Sequence, residues 1–321
     1  MFKASNIKAG IFFACLFLSV HVFSQFRVVG YVPLGKMTPD FSKVDFKRIT
    51  HLNIAFINPD SVGNLVIPSG FDSLVKLAQK NKVKVLPSIG GGSFNPYYAR
   101  LLNDTNRKAF IGKLVDLVTT YNLDGLDVDI ENDNIDSNYR HLINELSAEL
   151  KPKRKLLTAA LATWNGQLIP DESVKKFDFI NVMSYDQTGP WRPDKPGPHS
   201  TYEKAEEDLN YWAGTRGVPK EKLSLGVPFY GYAFGTIRFG EGMSYKDIVA
   251  RFPGSEQKDE LAPEGGGNIY YNGLPTMKRK TALALKSAGG IMIWQLLGDA
   301  QGDTSLLKAI DVMVKQPRSK K

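Results

Sequence analysis

The densest run of reactive side chains lies at residues 123–131, Leu-Asp-Gly-Leu-Asp-Val-Asp-Ile-Glu. As a β-strand it has period two, so Gly125, Asp127, Asp129 and Glu131 share one face while Leu126, Val128 and Ile130 share the other. The apolar face fits beneath a covering helix. The opposite face carries three carboxyls in a row, with alternate residues roughly 6.6 Å apart along the strand. Like charges that close cannot all stay ionised in a low-dielectric site, so at least one carboxyl is pushed toward its protonated form. A general acid that works near neutral pH is made in this way.

The elements that must hold this strand read off the hydrophobic periodicity. Strands are expected at 26–31, 49–56, 83–90, 123–131, 155–161, 177–185, 223–230 and 290–296. Helical spacing falls between them at 71–80, 106–121, 138–150, 202–213 and 276–288, with a closing helix at 305–314. Eight strands interleaved with helices match an α/β fold of the (β/α)8 TIM-barrel type, for which ~250 residues is typical. An open doubly wound sheet is the alternative, but no glycine-rich fingerprint follows the first strand. No repeat or Pro/Ser linker splits the chain, so residues 25–316 are expected to form one catalytic domain. In such a barrel the site lies at the C-terminal strand ends. Those ends supply Glu131, Tyr31, Ser88 with Gly90 and Gly91, Met183-Ser184-Tyr185-Asp186, Tyr230 and Trp294-Gln295. Two long loops, 186–201 with Trp191 and 233–274 with Gly265-Gly266-Gly267, flank this rim. Aromatics around a carboxyl cluster suit a sugar, whose C–H faces stack on rings.

Other chemistries fit less well. With Asp127 as position one of an EF-hand loop, Asn132 falls where Gly is needed and Asn138 where a bidentate Glu is needed. His51, His141 and His199 have neither HExxH spacing nor a cysteine partner for zinc, so no metal or other cofactor is expected. His51, alone in a strand, reads as a hydrogen-bonded structural residue. There is no G-x-S-x-G elbow and no phosphate-binding G-x-x-x-x-G-K-[ST]. The glycines after Ile89 therefore suggest close backbone packing.

Composition is ordinary for a globular protein: 321 residues, 42% hydrophobic and 23% charged. Residues 1–24 read as a signal peptide, with Lys3 and Lys8 before an apolar run of about a dozen residues. Export of the mature protein follows, with no membrane attachment after cleavage. The one cysteine, Cys15, lies in that leader, so no disulfide framework is available. Formal net charge is +8, but the basic residues are scattered or terminal, including the 317–321 tail, and no nucleic-acid motif accompanies them.

Residues 124–131 match in full the DGxDxDxE motif of glycoside hydrolase family 18, the chitinases and related endo-β-N-acetylglucosaminidases. Ser88-Ile89-Gly90-Gly91 resembles the family's SxGG on strand three, Met183-Ser184-Tyr185-Asp186 its M-x-Y-D on strand six, and Trp294 its strand-eight tryptophan. The resemblance spans essentially the whole mature chain. It implies a retaining, substrate-assisted hydrolysis of β-1,4-linked N-acetylglucosamine polymers, the exception to the two-carboxylate scheme. Glu131 would be the acid and later the base, and Asp129 would orient the substrate's acetamide. Asp127, supported by Ser88 and Tyr31, would hold Asp129. Tyr185 would donate to the acetamide oxygen, with Asp186 beside it, and Trp294 would floor the sugar subsite. Asp124, on the other strand face, is expected to be structural.

The chain departs from the pattern in places. Asn132-Asp133 stand where many chitinases have an aromatic and Pro, and Gly231-Tyr232-Ala233 where many have Gly-Arg. Residues 231–289 are too few for the full insertion domain that walls a deep cleft, which suggests a shallower groove, endo action and a monomer. Two alternatives stay open: cleavage of N-glycan chitobiose cores, and a chitin-binding lectin without activity. Lectin-type relatives typically lose the acid, whereas Glu131, Asp129, Asp127 and Tyr185 are all present.

Overall fold

The computed structural model describes residues 25–235, 242–264 and 266–316. The expected leader at 1–24 and basic tail at 317–321 lie outside these, as does Gly265. The strands run β1 (Arg27–Pro33), β2 (His51–Ala55), β3 (Lys84–Gly91), β4 (Gly125–Ile130), β5 (Leu156–Leu161), β6 (Phe179–Val182) and β7 (Leu223–Pro228). After these come β8 (Tyr230–Phe234), β9 (Met243–Ser244), β10 (Glu260–Leu261) and β11 (Asn268–Tyr270), and then β12 (Gly290–Trp294). β1 to β7 and β12 are parallel and close into a barrel, β12 pairing with both β7 and β1. This is the expected (β/α)8 architecture in a single domain.

The helices are α1 (Phe71–Lys80), α2 (Tyr97–Leu101), α3 (Arg107–Thr120), α4 (Tyr139–Leu150), α5 (Asp171–Lys176), α6 (Tyr202–Asn210), α7 (Tyr245–Arg251), α8 (Leu274–Ser287) and α9 (Leu306–Lys315). Their apolar stripes pack on the outer strand faces. α1 buries Phe71, Leu74, Val75 and Ala78, and α3 buries Phe110, Ile111, Leu114 and Val118. Each of the larger of these side chains contributes about 1.5–3 kcal/mol by leaving water. No long helix joins β1 to β2; two single turns, Phe41–Lys43 and Phe46–Arg48, replace it, capped by Asp40 and Asp45.

Three helix ends deliver the chain to the next strand by one device. After α1, α3 and α4, Lys82, Asn122 and Arg154 adopt left-handed φ of 59°, 48° and 55°. The following N–H groups reach back into the helix: Val83 to the Ala78 carbonyl, Leu123 to Val118 and Lys155 to Leu150. This Schellman-type closure satisfies end carbonyls and turns the chain sharply. Through it α3 fixes where β4, and hence the carboxylate ladder, begins.

Two expectations shift. The sixth strand ends at Val182, because from Met183 the backbone leaves the sheet and reaches a left-handed Asp186 (φ 61°). Tyr185 and Asp186 are thereby swung over the barrel mouth. The segment after β7 does fold as a small unit. β8 to β11 form an antiparallel sheet in the order β10-β11-β8-β9, with α7 packed beside it.

Candidate active site

β4 pairs with β3 and β5 in a register that sets Ser88 beside Asp127 and Asp127 beside Thr158. Asp127 is fully buried and accepts from three hydroxyls: Tyr31 at 2.6 Å, Ser88 at 2.8 Å and Thr158 at 2.5 Å. The Asn181 amide lies 3.2 Å from the Tyr31 hydroxyl. Burial raises the Asp127 carboxyl above its usual range, and these hydrogen bonds oppose the rise. Asp127 is thus held rigidly and has little capacity left for a ligand.

One turn of the pleat further on, Asp129 differs sharply. It is buried, and its Oδ1 has no hydrogen-bond partner among the described residues. Burial, then repulsion from Glu131 and Asp127, pushes its carboxyl well above the usual range. The backbone behind it is tight. A side chain on Gly90 (φ 107°) would meet the Asp129 carbonyl oxygen at 2.2 Å, so glycine is required for β3 to approach β4 so closely.

Glu131 follows the end of β4 in extended conformation and precedes the Asn132–Asn134 turn, but its side chain does not cap that turn. The carboxyl faces a groove of ≈ 730 Å³ lined by Gly92, Asn132, Trp164, Asp186, Gln187, Trp191, Arg192 and Lys204. Burial lifts it to about 7, with the Asp186 charge adding to the shift. A carboxyl poised there at neutral pH can give up a proton and later recover one.

Asp186 opposes it from the loop after β6. The Tyr230 hydroxyl donates to its Oδ1 at 2.5 Å and that of Tyr232 at 3.0 Å, while His199 Nδ1 lies 3.3 Å away. Tyr185 is buried, and among the described residues its hydroxyl has the Met292 sulfur, at 3.9 Å, as its partner. Burial and the Asp129 charge push its phenol well up, so it remains a donor. Trp294 packs against Tyr31 at 5.5 Å and is stacked on Phe56 at 5.8 Å.

The structure therefore gathers Glu131, Asp129, Asp127, Tyr185, Asp186, Tyr230 and Tyr31 at one end of the barrel, with Trp191 exposed on the groove wall. It moves others off the rim. Ser88 has no exposed surface and serves Asp127. Gly90 packs against the β4 backbone and Gly91 against the Phe56 ring, and Met183 is buried in the barrel interior with Tyr31, Tyr185 and Met292. The Gln295 side chain caps the Leu296–Gly298 turn by accepting from Leu297 N at 2.7 Å. Residues unmarked in the sequence reading also enter: Thr158 and Asn181 inside the barrel, Phe56 against Trp294, Trp164 on the groove and His199 on Asp186. Thr158 and Asn181 carried a usable signal, being polar positions inside strands otherwise almost entirely apolar.

The profile of glycosyl hydrolases family 18 matches residues 27–299 of the chain. A glycoside hydrolase (β/α)8 barrel is the class that the fold defines, and the chain belongs to glycoside hydrolase family 18. Among solved structures it is similar to a family 18 chitinase from the chitin utilization locus of Flavobacterium johnsoniae. The two are 38% identical, with TM-score 0.82 over 91% of this chain and 94% of that one. A chitinase from Bacteroides thetaiotaomicron is 28% identical, with TM-score 0.79 over 93% and 99%. A chitinase-like effector of the fungus Moniliophthora roreri is 29% identical over 76% of this chain and 70% of its own length.

Proposed function

We propose that this protein is an active, exported chitinase that cleaves β-1,4 bonds between N-acetylglucosamine units with retention of configuration. Glu131 protonates the glycosidic oxygen as the bond to the anomeric carbon breaks. The acetamido carbonyl oxygen of the same sugar attacks that carbon, giving an oxazolinium-like intermediate. Asp129 accepts from the acetamide N–H and Tyr185 donates to its carbonyl oxygen. Glu131, now a carboxylate, takes a proton from the water that opens the intermediate.

The observation that carries this reading is Asp129 Oδ1, a buried acceptor without a partner beside an acid raised to about 7. A buried acceptor left without a partner at the mouth of a groove is complementary to a ligand N–H. Asp127 is held by three hydroxyls and is not free to act as a nucleophile, and two phenols hold Asp186 Oδ1. The similarity to chitinases supports the substrate class. The small β8–β11 sheet beside a groove open to solvent supports endo action.

Product analysis on N-acetylglucosamine oligomers of graded length, beside a high-mannose glycoprotein, tests the reading. We expect internal cleavage of the oligomers, β-anomeric products and no release of glycan. Glycan release alone would transfer the function to chitobiose-core cleavage, and binding without turnover would make the protein a lectin. The N-terminal sequence of protein recovered outside the cytoplasm tests export; it should begin at Gln25.

A further inference from the structure

Lys280, on α8, is a fully buried cation with no ion-pair partner among the described residues. Its Nζ donates to the Ser200 carbonyl at 2.8 Å, to Ser200 Oγ at 2.7 Å and to Asn272 Oδ1 at 2.8 Å. Three acceptors require three N–H donors, so this geometry is that of an ammonium. The Asn272 amide donates to the same Ser200 carbonyl at 2.9 Å. Burial draws the ammonium down to about 7, opposed by the charges of Asp259 before β10 and of Asp208 and Glu203 on α6. A methionine would fill this volume without the desolvation penalty of a buried charge, so packing alone does not account for a lysine.

What the lysine grips leads directly to the site. Ser200 Oγ donates to the Ser184 carbonyl at 2.6 Å, and Ser184 immediately precedes Tyr185 and Asp186. Next to Ser200, His199 meets Asp186, and its carbonyl accepts from Gln187 N at 3.1 Å. Residues 187–199 thus form a closed Ω-type loop, braced internally by Thr188 Oγ1 donating to the Lys195 carbonyl at 2.6 Å. The tip carries Trp191, 57% exposed on the groove and edge-on to Tyr232.

We propose that Lys280 is a positioning residue for the reaction. By pinning Ser200 it sets the neck of the 187–199 loop, and with it the placement of Tyr185 and Asp186 at the reacting centre and of Trp191 along the groove. This rests on the reading of the groove as an oligosaccharide-cleaving site.

The test compares Lys280→Met, Ser200→Ala and the double variant, well below their melting temperatures. Lys280→Met should lower kcat/KM on N-acetylglucosamine oligomers by between about tenfold and a hundredfold, through both a lower kcat and a higher KM. Ser200→Ala keeps the carbonyl that Lys280 holds but removes the bridge to Ser184. It should lower kcat and leave KM nearly unchanged, and the double variant should be no worse than Lys280→Met. Hydrogen exchange across 183–200 should accelerate in Lys280→Met whether or not the protein cleaves chitin oligomers. An inactive wild-type enzyme with that acceleration would remove the chitinase reading and keep the loop anchor. Wild-type kcat and KM in Lys280→Met, with only the melting temperature altered, would overturn the inference, as would strictly additive effects or unchanged exchange. Should Lys280→Met not fold, Ser200→Ala alone decides through its kcat.

Discussion

At the end of the barrel where the strands begin, Asp124 and Asp178 do the same work one strand pair apart. Asp124 accepts from Val85 N at 2.8 Å and donates its own N–H to the Val85 carbonyl; Asp178 does both with Leu157. Each carboxylate closes a backbone ladder and has partners in the protein. At the end where the strands finish, burial raises both Asp129 and Glu131, helped by the Glu131 and Asp127 charges at Asp129 and by the Asp186 charge at Glu131. His51, near the strand starts, is buried too, and burial pulls its imidazole down to about 3, so it stays neutral and structural. Burial by itself therefore does not mark a reactive group. The difference lies in partners: backbone N–H groups satisfy Asp124 and Asp178, while at the exit end Asp129 Oδ1 has no partner among the described residues and Glu131 faces a groove.

The sharpest way to break this contrast is Glu131→Gln, which should cost about 10²–10⁴-fold or more in kcat while leaving oligosaccharide affinity largely intact by calorimetry. Near wild-type turnover would sink the assignment of the acid. Asp129→Asn should cost about 10²-fold in kcat, because an amide can turn an N–H donor toward the acetamide N–H where the carboxyl oxygen would accept from it; an unchanged rate argues against acetamide participation.

The pH dependence gives a third comparison. Glu131 rises from its usual 4.5 to about 7 in the folded protein, so folding favours its protonated form. That contribution is fully present below 4.5 and is lost as pH rises through 7. Activity should fall on the alkaline side near 7, where the acid has no proton to give. Stability should fall as well, by on the order of 3 kcal/mol between pH 4.5 and the far side of 7. Glu131→Gln lacks this loss, so its melting temperature relative to wild type should rise between pH 5 and pH 8.5. A constant difference would mean that Glu131 is not raised.

The smallest effect belongs to the entry end. Asp124→Ala and Asp178→Ala should each cost about 1.5–3 kcal/mol in urea unfolding, the value of a hydrogen bond to a charged group. Both should leave kcat/KM within about twofold of wild type, since the backbone that they hold is remote from the groove. A large activity loss in either would erase the distinction between the two ends.

Much of the exit end was legible from spacing. Alternation in β4 placed Asp127, Asp129 and Glu131 on one face and Asp124 on the other, and the structure keeps that division. Strand ends were less legible, because where a strand leaves a sheet depends on its neighbours. The sixth was expected to run to Tyr185, but pairing ends near Met183 and Asp186 turns into the left-handed region. Gln295 falls on the rim by its position at a strand end, yet its side chain caps a turn, whereas Ser88 supports Asp127 as the family resemblance implies.

The sequence by itself determined the period of the strands, the barrel class and the face on which three carboxyls gather. These are local properties, fixed by alternation and by the helical stripes between strands. Only the tertiary structure decided how the three differ. Thr158, Ser88 and Tyr31 come from three other strands to hold Asp127, and no residue arrives to hold Asp129 Oδ1. Asp186 comes from a loop braced by Tyr230, Tyr232 and His199 to raise Glu131. Those partners lie between 13 and 96 residues away in the chain. Proton affinity depends on what surrounds a carboxyl in space, which no local pattern records.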